Sequence, residues 1–424
     1  MINLKLLLIL ILSLYVQIVS GQNEIKKYVQ AKAVAIASID PHSTDNSDLE
    51  VMGQAIGNAR IVMMGDQDHE DAPALTAKTR IIKYLHEKMG FNVIAFENSF
   101  IESTYYWNEV ISRKLPLDSF VKKYISITWR SCGTSPLFHD YLPSTLNTSQ
   151  PLHISGVDNV NAAPYTVPLL DSMLRVFKIP LTQTPEYTSE IVPLLSNWYK
   201  YTSDSTTTDK IIGYYEEIRS QLLERMSKDD FWIVVVDNQI ALNKEYRNWR
   251  KNIVKDRNVR DQQMARNLKW LAEVRYPNEK IIVLAHNYHV SKHSGHYRKG
   301  YFLNKVTTMG SYFTADTAFR DKTYIIGFTS YKGTAGRSFE KKYTVQKPRP
   351  NSFENWIREE YNFAFVDFKE YNASYPQNSV FFMKGCIGPP HHTNREAEWN
   401  RIFDGVFYIR DTYPLIDTYP CGNR

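Results

Sequence analysis

Apolar positions fall into short unbroken runs separated by longer stretches with helical spacing, the pattern of strands buried on both faces alternating with amphipathic helices. Ile61 to Met64 is the first such run and ends at Gly65. Leu75, Ile81, Ile82, Leu85 and Met89 then recur at helical intervals, and Gly90 stands where a left-handed helix stop belongs. Val93 to Phe96 is again short and apolar, which completes a β-α-β unit. Both strands end in ionisable residues: Asp66, Asp68 and His69 after the first, Glu97 after the second. In a parallel sheet the loops after strand C-termini share one edge, where open α/β sheets bind ligands.

The pattern repeats along the chain. Residues 31–60 read as a lead-in with a polar turn at 42–48 and a short helix to Gly57. A helix is expected over Ser99 to Arg113, a strand over Leu152 to Val157 followed by Asp158, and a strand over Lys280 to Ala285 followed by His286-Asn-Tyr-His289. Further strands are expected at Tyr324–Phe328, Ala364–Phe368, Val380–Met383 and Val406–Ile409. Between about 167 and 258 the chain changes to long helical spacing (Ile211, Ile212, Tyr215, Ile218, Leu222, Met226, then Ile240, Leu242, Tyr246, Trp249). The expected fold is α/β: a central mixed, largely parallel sheet flanked by helices, in one domain over 22–424. The mainly helical insertion at 167–258 lies over the active-site edge and forms one wall of a cleft.

Met1 to Gly21 stays outside that fold. Lys5 precedes an apolar core from Leu6 to Val19, and small residues precede a cut ahead of Gln22, as in an export signal. The core is short for a bilayer span, so export to a periplasmic or secreted location is expected, with no membrane anchor after cleavage. The net charge of +6 from 51 basic and 45 acidic residues is modest, the basic residues are scattered, and no nucleic-acid motif is present. Three cysteines make neither a disulfide framework nor a zinc site. In an oxidising compartment Cys386 would pair with Cys421 and leave Cys132 as a buried thiol.

If the strands are parallel neighbours, Asp66, His69, Glu97, His286 and His289 converge, and Asp158 joins them. A histidine among carboxylates is the arrangement for a general base acting on water. No Gly-x-Ser-x-Gly elbow and no His-Glu-x-x-His motif occurs. Each residue also has a structural alternative: Asp66 as a helix cap, His69 as a core histidine, the later histidines as a buried hydrogen-bonding pair. Glu97 is the exception, because a carboxylate ending an apolar run is costly without a partner. A rival reading is a metal site, because His286, His289, His293 and His296 would share one face of a continuous helix. No cofactor is otherwise expected.

Gly65-Asp-Gln-Asp-His69, Gly90-Phe to Phe96-Glu97, Gly156-Val-Asp158, Arg260-Asp-x-x-Met264-Ala-x-Asn267 and Ala285-His-Asn-x-His289 occur in the order of the erythromycin esterase family, which the chain resembles over nearly its whole length after the leader. Phe403-Asp-Gly-Val-Phe-Tyr resembles that family's last strand. The resemblance implies hydrolysis of an ester or lactone, such as a macrolide antibiotic, by water activated at His69. Glu97 matches a cleft glutamate, and His286 and His289 match the family's second histidine pair. Lys78 stands where the family commonly has arginine, and Asp66 where it commonly has glutamate. Aspartate withdraws its carboxylate by about 1.5 Å, and lysine lacks the two-pronged clamp of arginine. The expectation is an exported hydrolase with a role in antibiotic response. His69 is the base, assisted by Asp66 or Glu97; His286 and His289 act on the leaving group; Lys78 and Asp158 contact the substrate. Arg260, Asp261 and Asn267 are expected to be architectural, the first two as an ion pair. A non-catalytic binding protein for a small molecule and a metal-dependent hydrolase on the His286/His289 cluster are the alternatives.

Overall fold

The computed structural model describes residues 22–130, 132–159, 165–247, 252–292, 296, 302–337, 340–375, 379–385 and 391–415. The leader expected at 1–21 lies outside them. Among the described residues, no helix is long and apolar enough to cross a membrane. The strands are β1 (Val34–Ile36), β2 (Ile61–Met64), β3 (Phe91–Ser99), β4 (His153–Asp158), β5 (Lys280–Leu284), β6 (Thr323–Ala335), β7 (Tyr343–Thr344), β8 (Phe363–Asp367), β9 (Phe381–Met383), β10 (Arg395–Ala397) and β11 (Gly405–Thr412).

A nine-stranded sheet has the order β1-β8-β11-β6-β2-β5-β3-β4, with β7 attached to β6. From β11 to β4 every neighbouring pair is parallel, whereas β8 is antiparallel to β11 and β1 to β8. This is the mixed, largely parallel sheet expected from the short apolar runs. The strand at 380–383 is a difference: β9 pairs with β10 in a separate two-stranded sheet. β1 was not foreseen, because three residues inside a polar lead-in give no periodicity. β6 runs seven residues past the expected Phe328, pairing with β11 through Thr329, Ser330, Lys332 and Gly333 where polar residues hid the strand.

Alternation along the central strands divides the core into two layers. Ile61, Met63, Val93, Ala95, Ile281 and Val283 face one cluster; Val62, Met64, Ile94, Phe96, Ile282 and Leu284 face the other. The second layer is closed by the helix Ala72–Met89, which has a proline in its first turn and Gly90 in the left-handed conformation at its end. The first layer is closed by the expected helical segment, with Thr166–Val176, Ser205–Leu223, Phe231–Tyr246 and the following helix Ile253–Trp270. Ile211, Ile212, Tyr215, Ile218 and Leu222 are buried there, as their spacing requires.

Two glycines set the geometry of the sheet edge where the strands end. A Cβ on Gly65 would overlap the Asn287 amide, which donates to Phe328 O and accepts from Phe328 N, tying the ends of β2, β5 and β6 together. A Cβ on Gly156 would overlap the carbonyl oxygens of Asn98 and Ser99, where the register of β3 against β4 shifts between Phe96 and Ser99. Such an irregularity re-aims side chains, and Glu97 lies inside it. Gly156→Ala should therefore cost about 1–3 kcal/mol, the usual range for overpacking. Urea unfolding checks this, and an unchanged midpoint would mean that the bulge tolerates a side chain.

Candidate active site

Four strand ends and one helix supply the site. After β2 the chain turns sharply, with Glu70 at a φ of 70°, and this brings His69 back over the sheet edge. The imidazole lies between two carboxylates: Nδ1 is 3.5 Å from Asp66 Oδ1 and Nε2 is 3.7 Å from Glu97 Oε1. Glu97 also lies 3.2 Å from His289 Nε2 and 3.3 Å from an Arg260 terminal nitrogen. Its other oxygen accepts the backbone N–H of His286 at 2.8 Å. His289 in turn donates through Nδ1 to Asp261 Oδ1 at 2.9 Å, and the backbone N–H of Met309 donates to the same oxygen.

The convergence expected of Asp66, His69, Glu97, His286 and His289 is present. Several expected roles change. Lys78 does not reach the cleft: its side chain is 1% exposed, its ammonium is 2.9 Å from Asp66 Oδ2, and it lies over the rings of Trp129 and Phe328. A cation held behind Asp66 cannot also touch substrate. Asp158 is the counter-ion of Arg260, with contacts of 2.5 and 3.1 Å. The ion pair expected between Arg260 and Asp261 is replaced: the guanidinium bridges Asp158 and Glu97 and lines the cleft. Asn267 is structural as expected, donating to Val157 O and to Asn238.

His286 is fixed as a neutral ring. Its Nε2–H donates to Gln67 O at 2.8 Å and its Nδ1 accepts from the Tyr288 N–H at 3.1 Å. Burial and the nearby His69 cation hold its pKa well below the ordinary value. The four-histidine helix does not form, because the helix beginning at Asn287 ends at Val290. His296 instead pairs with Glu398, and His293 lies outside the described residues. Cys132 is disulfide-bonded, not the expected thiol. Cys386 and Cys421 lie outside the described residues, and with three cysteines in the chain the bond at Cys132 is incompatible with the 386–421 pair.

Burial would strip charge from these groups, but their mutual attraction prevails. Burial pulls His69 down, yet the Glu97 and Asp66 carboxylates raise it to about 10. Burial likewise opposes the His289 imidazolium, while Asp261 and Glu97 lift it to about 9. Against desolvation, Lys78 and His69 hold Asp66 down at about 2, and His289 and His69 keep Glu97 well below the ordinary glutamate. Behind Arg260, burial raises Glu245 to about 7. At neutral pH the cleft floor is an alternation of charges: Lys78⁺, Asp66⁻, His69⁺, Glu97⁻, His289⁺, Asp261⁻, with Arg260⁺ joining Glu97 to Asp158⁻.

Two cavities share His69, Glu97 and Arg260. One, about 380 Å³, is lined also by Arg257, His286, Tyr288, His289, Arg337, Glu340 and His391. The other, about 460 Å³, is lined by Asn98, Ser99, the segment Lys123–Thr128, Arg130 and Asp158. Of the expected insertion, Arg257 alone reaches these walls. Arg337, paired with Asp68 at 2.7 Å, and His391, 3.7 Å from the same carboxylate, were not foreseen. Arg337 follows β6 two residues past Ala335, beyond the Phe328 where that strand was expected to end, and His391 precedes β10, outside the parallel sheet.

Residues 86–412 match the family model described as Erythromycin esterase, and the chain belongs to that family. It is similar to the putative hydrolase YbfO of Bacillus subtilis (strain 168), with 26% identity over 349 residues, 74% of each chain. A Bacillus cereus protein of known structure superposes with a TM-score of 0.74 at 18% identity, over 93% of this chain and 98% of that one. The erythromycin esterase mutant EreC in its open conformation superposes with a TM-score of 0.67 at 17% identity, over 90% and 98%. These two likenesses establish the shared fold.

The charge alternation makes stability depend on pH. His69 and His289 hold protons in the fold that the unfolded chain releases near pH 6.5. Their stabilisation is complete below that pH and is lost as pH rises through about 9 and 10. The carboxylates act in the opposite sense: their contribution is present above the ordinary acid range and disappears as pH falls through the Asp66 value of about 2. Urea midpoints should fall from about pH 6.5 toward pH 10, less steeply in His289→Asn. Midpoints that climb over this interval would contradict the ionic array.

Proposed function

We propose that the chain is an exported hydrolase of carboxylic esters or lactones, in which His69 activates the attacking water. The observation that supports this best is the His69 imidazole flanked by two carboxylates where the two cavities meet. With its proton gone, the ring takes a proton from cleft water, and Asp66 and Glu97 stabilise the imidazolium that forms. The hydroxide adds to the carbonyl carbon and the oxygen becomes an oxyanion. Arg260⁺ and His289⁺ supply positive charge for that oxyanion. When the tetrahedral intermediate collapses, the carbon–oxygen bond of the ester breaks and the leaving alkoxide takes a proton from an imidazolium. The products are a carboxylic acid and an alcohol, joined in one molecule when the substrate is a lactone. No cofactor and no nucleic acid enters this scheme. Lys78 acts through Asp66, and His286 through Gln67 O and the Glu97-bound backbone N–H, as positioning residues.

Export is supported by the leader expected at 1–21 and by the disulfide at Cys132, since such bonds persist in oxidising compartments. Membership of the family supports an ester or lactone as substrate, and macrolide opening with a role in antibiotic response is the narrower form of the proposal.

Two measurements test the mechanism. Aryl esters, simple lactones and erythromycin should be assayed with the wild type and with His69→Asn, which should lose at least about 100-fold in kcat/KM. Absence of turnover on all three substrates would leave a binding protein on this scaffold. The pH profile tests the assignment of His69. With the base raised to about 10 and the His289 cation lost through about 9, kcat/KM should increase from neutrality and level off near the lower value. Glu97→Gln removes the larger raising charge and should move the limb to lower pH even as overall activity drops. A limb that stays in place would show that His69 is not the titrating base.

A further inference from the structure

The floor of the cleft is balanced in charge, but the wall of the larger cavity is not. Each cation on the floor faces a carboxylate within 3.7 Å, as described above. In the 460 Å³ cavity two more cations, Lys123 and Arg130, line the wall beside Tyr124, Ile125 and Ile127. Among the described residues, neither has a carboxylate partner. Among the described residues the Arg130 side chain makes one hydrogen bond, from a terminal nitrogen to Lys122 O at 2.7 Å, and its Nε–H is buried without an acceptor. Burial lowers its pKa and no acid raises it back.

This wall is built. Asn98 donates to Tyr124 O at 2.7 Å and accepts from Ser126 N–H at 2.8 Å. Trp129 donates through its indole N–H to the carbonyl of Glu97 at 3.0 Å, and Thr134 closes back on Trp129 O. Cys132 adds a covalent tie two residues beyond Arg130. Arg130, tied to Lys122 O, and the exposed Lys123 thus bring two cations without a described carboxylate partner to the same cavity as His69, Glu97 and Arg260. A guanidinium without a carboxylate partner is a ready donor for the oxygens of a bound anion.

We propose that the substrate is an anion-bearing ester, whose carboxylate, sulfate or phosphate group is taken by Arg130 and Lys123 while its carbonyl lies over His69. This rests on the hydrolase reading and narrows it from esters in general to esters with a charged arm. Ile125 and Ile127 accommodate the short apolar spacer between the two groups. The preference acts in binding, so it belongs to KM.

The test compares two esters of one length, mono(4-nitrophenyl) glutarate and 4-nitrophenyl valerate, which differ in a terminal carboxylate. The wild type should favour the glutarate at least tenfold in kcat/KM, mostly through KM. Added salt should erode that preference, because surface-accessible charge is screened. Lys123→Glu, at an exposed position that tolerates substitution, should abolish or invert the ratio; Arg130→Met should reduce it. Equal kcat/KM for the two esters in the wild type, or a ratio that survives in Lys123→Glu, overturns the proposal. If neither ester turns over, calorimetry with N-(4-nitrophenyl)glutaramic acid separates the two claims. Binding by the wild type that is lost in Lys123→Glu would keep the anion site and remove the esterase. No binding would remove the anion site itself.

Discussion

The carboxylate of Glu97 is the group that the rest of the site cannot do without. It is 7% exposed, at the end of an apolar strand, where an isolated charge would be neutralised rather than tolerated. It stays ionised because His69, His289, Arg260 and the His286 N–H surround it. Each of those cations is costly in its own right and is held by a second acid: Asp66 for His69, Asp261 for His289, Asp158 for Arg260. The ions are stable only as a set, since removing one partner leaves a buried charge uncompensated. Their carriers are β2, β3, β4, β5 and the helix Ile253–Trp270, so the same set locks five elements in one arrangement. Site and fold edge are a single electrostatic object.

That dependence explains what could be read from the amino acids. Strands buried on both faces need unbroken apolar runs, and an ionisable residue ending such a run stands out, so Asp66, His69, Glu97, Asp158, His286 and His289 could be located without coordinates. The residues that balance them were less legible. Arg260 is on a helix, where a charged residue is ordinary, and nothing local distinguishes a cation aimed at a sheet edge from one aimed at solvent. Lys78 was singled out only through the family resemblance, as a substrate contact, whereas its burial behind Asp66 under Trp129 and Phe328 is a tertiary fact. The run of histidines after β5 carried a helical period that its short helix, ending at Val290, never extends to use. The thiol expected at Cys132 was misread, because position in the chain says little about disulfide geometry.

Asp66 and Lys78 also bear on the substitutions that separate this chain from the pattern it otherwise follows. The shorter carboxylate leaves 3.5 Å to His69 on one side, yet the flexible ammonium of Lys78 closes to 2.9 Å on the other. A lysine is a point charge on a long stem and needs no fixed two-pronged partner. The pair therefore compensates within itself, behind the ring it orients, and the departures from the pattern fall on support rather than on the walls that a substrate touches.

The two kinds of residue in the cleft answer to different constraints. The ionic set is buried and mutually dependent, so changing one member leaves its partner's charge uncompensated. The walls beyond it, with Lys123 and Arg130 on one side and Arg257, Arg337 and Glu340 on the other, lie on loops and helix surfaces outside that set. Chemistry that depends on strand ends and selectivity that depends on loops can then change independently, the usual way one scaffold serves many substrates. A neutral floor also means that any charge preference must come from those walls, because the floor contributes close proton donors and acceptors but little net field. Membership of the family thus bears on the reaction through the floor, and the residues that choose the molecule have to be read from the walls of this chain alone.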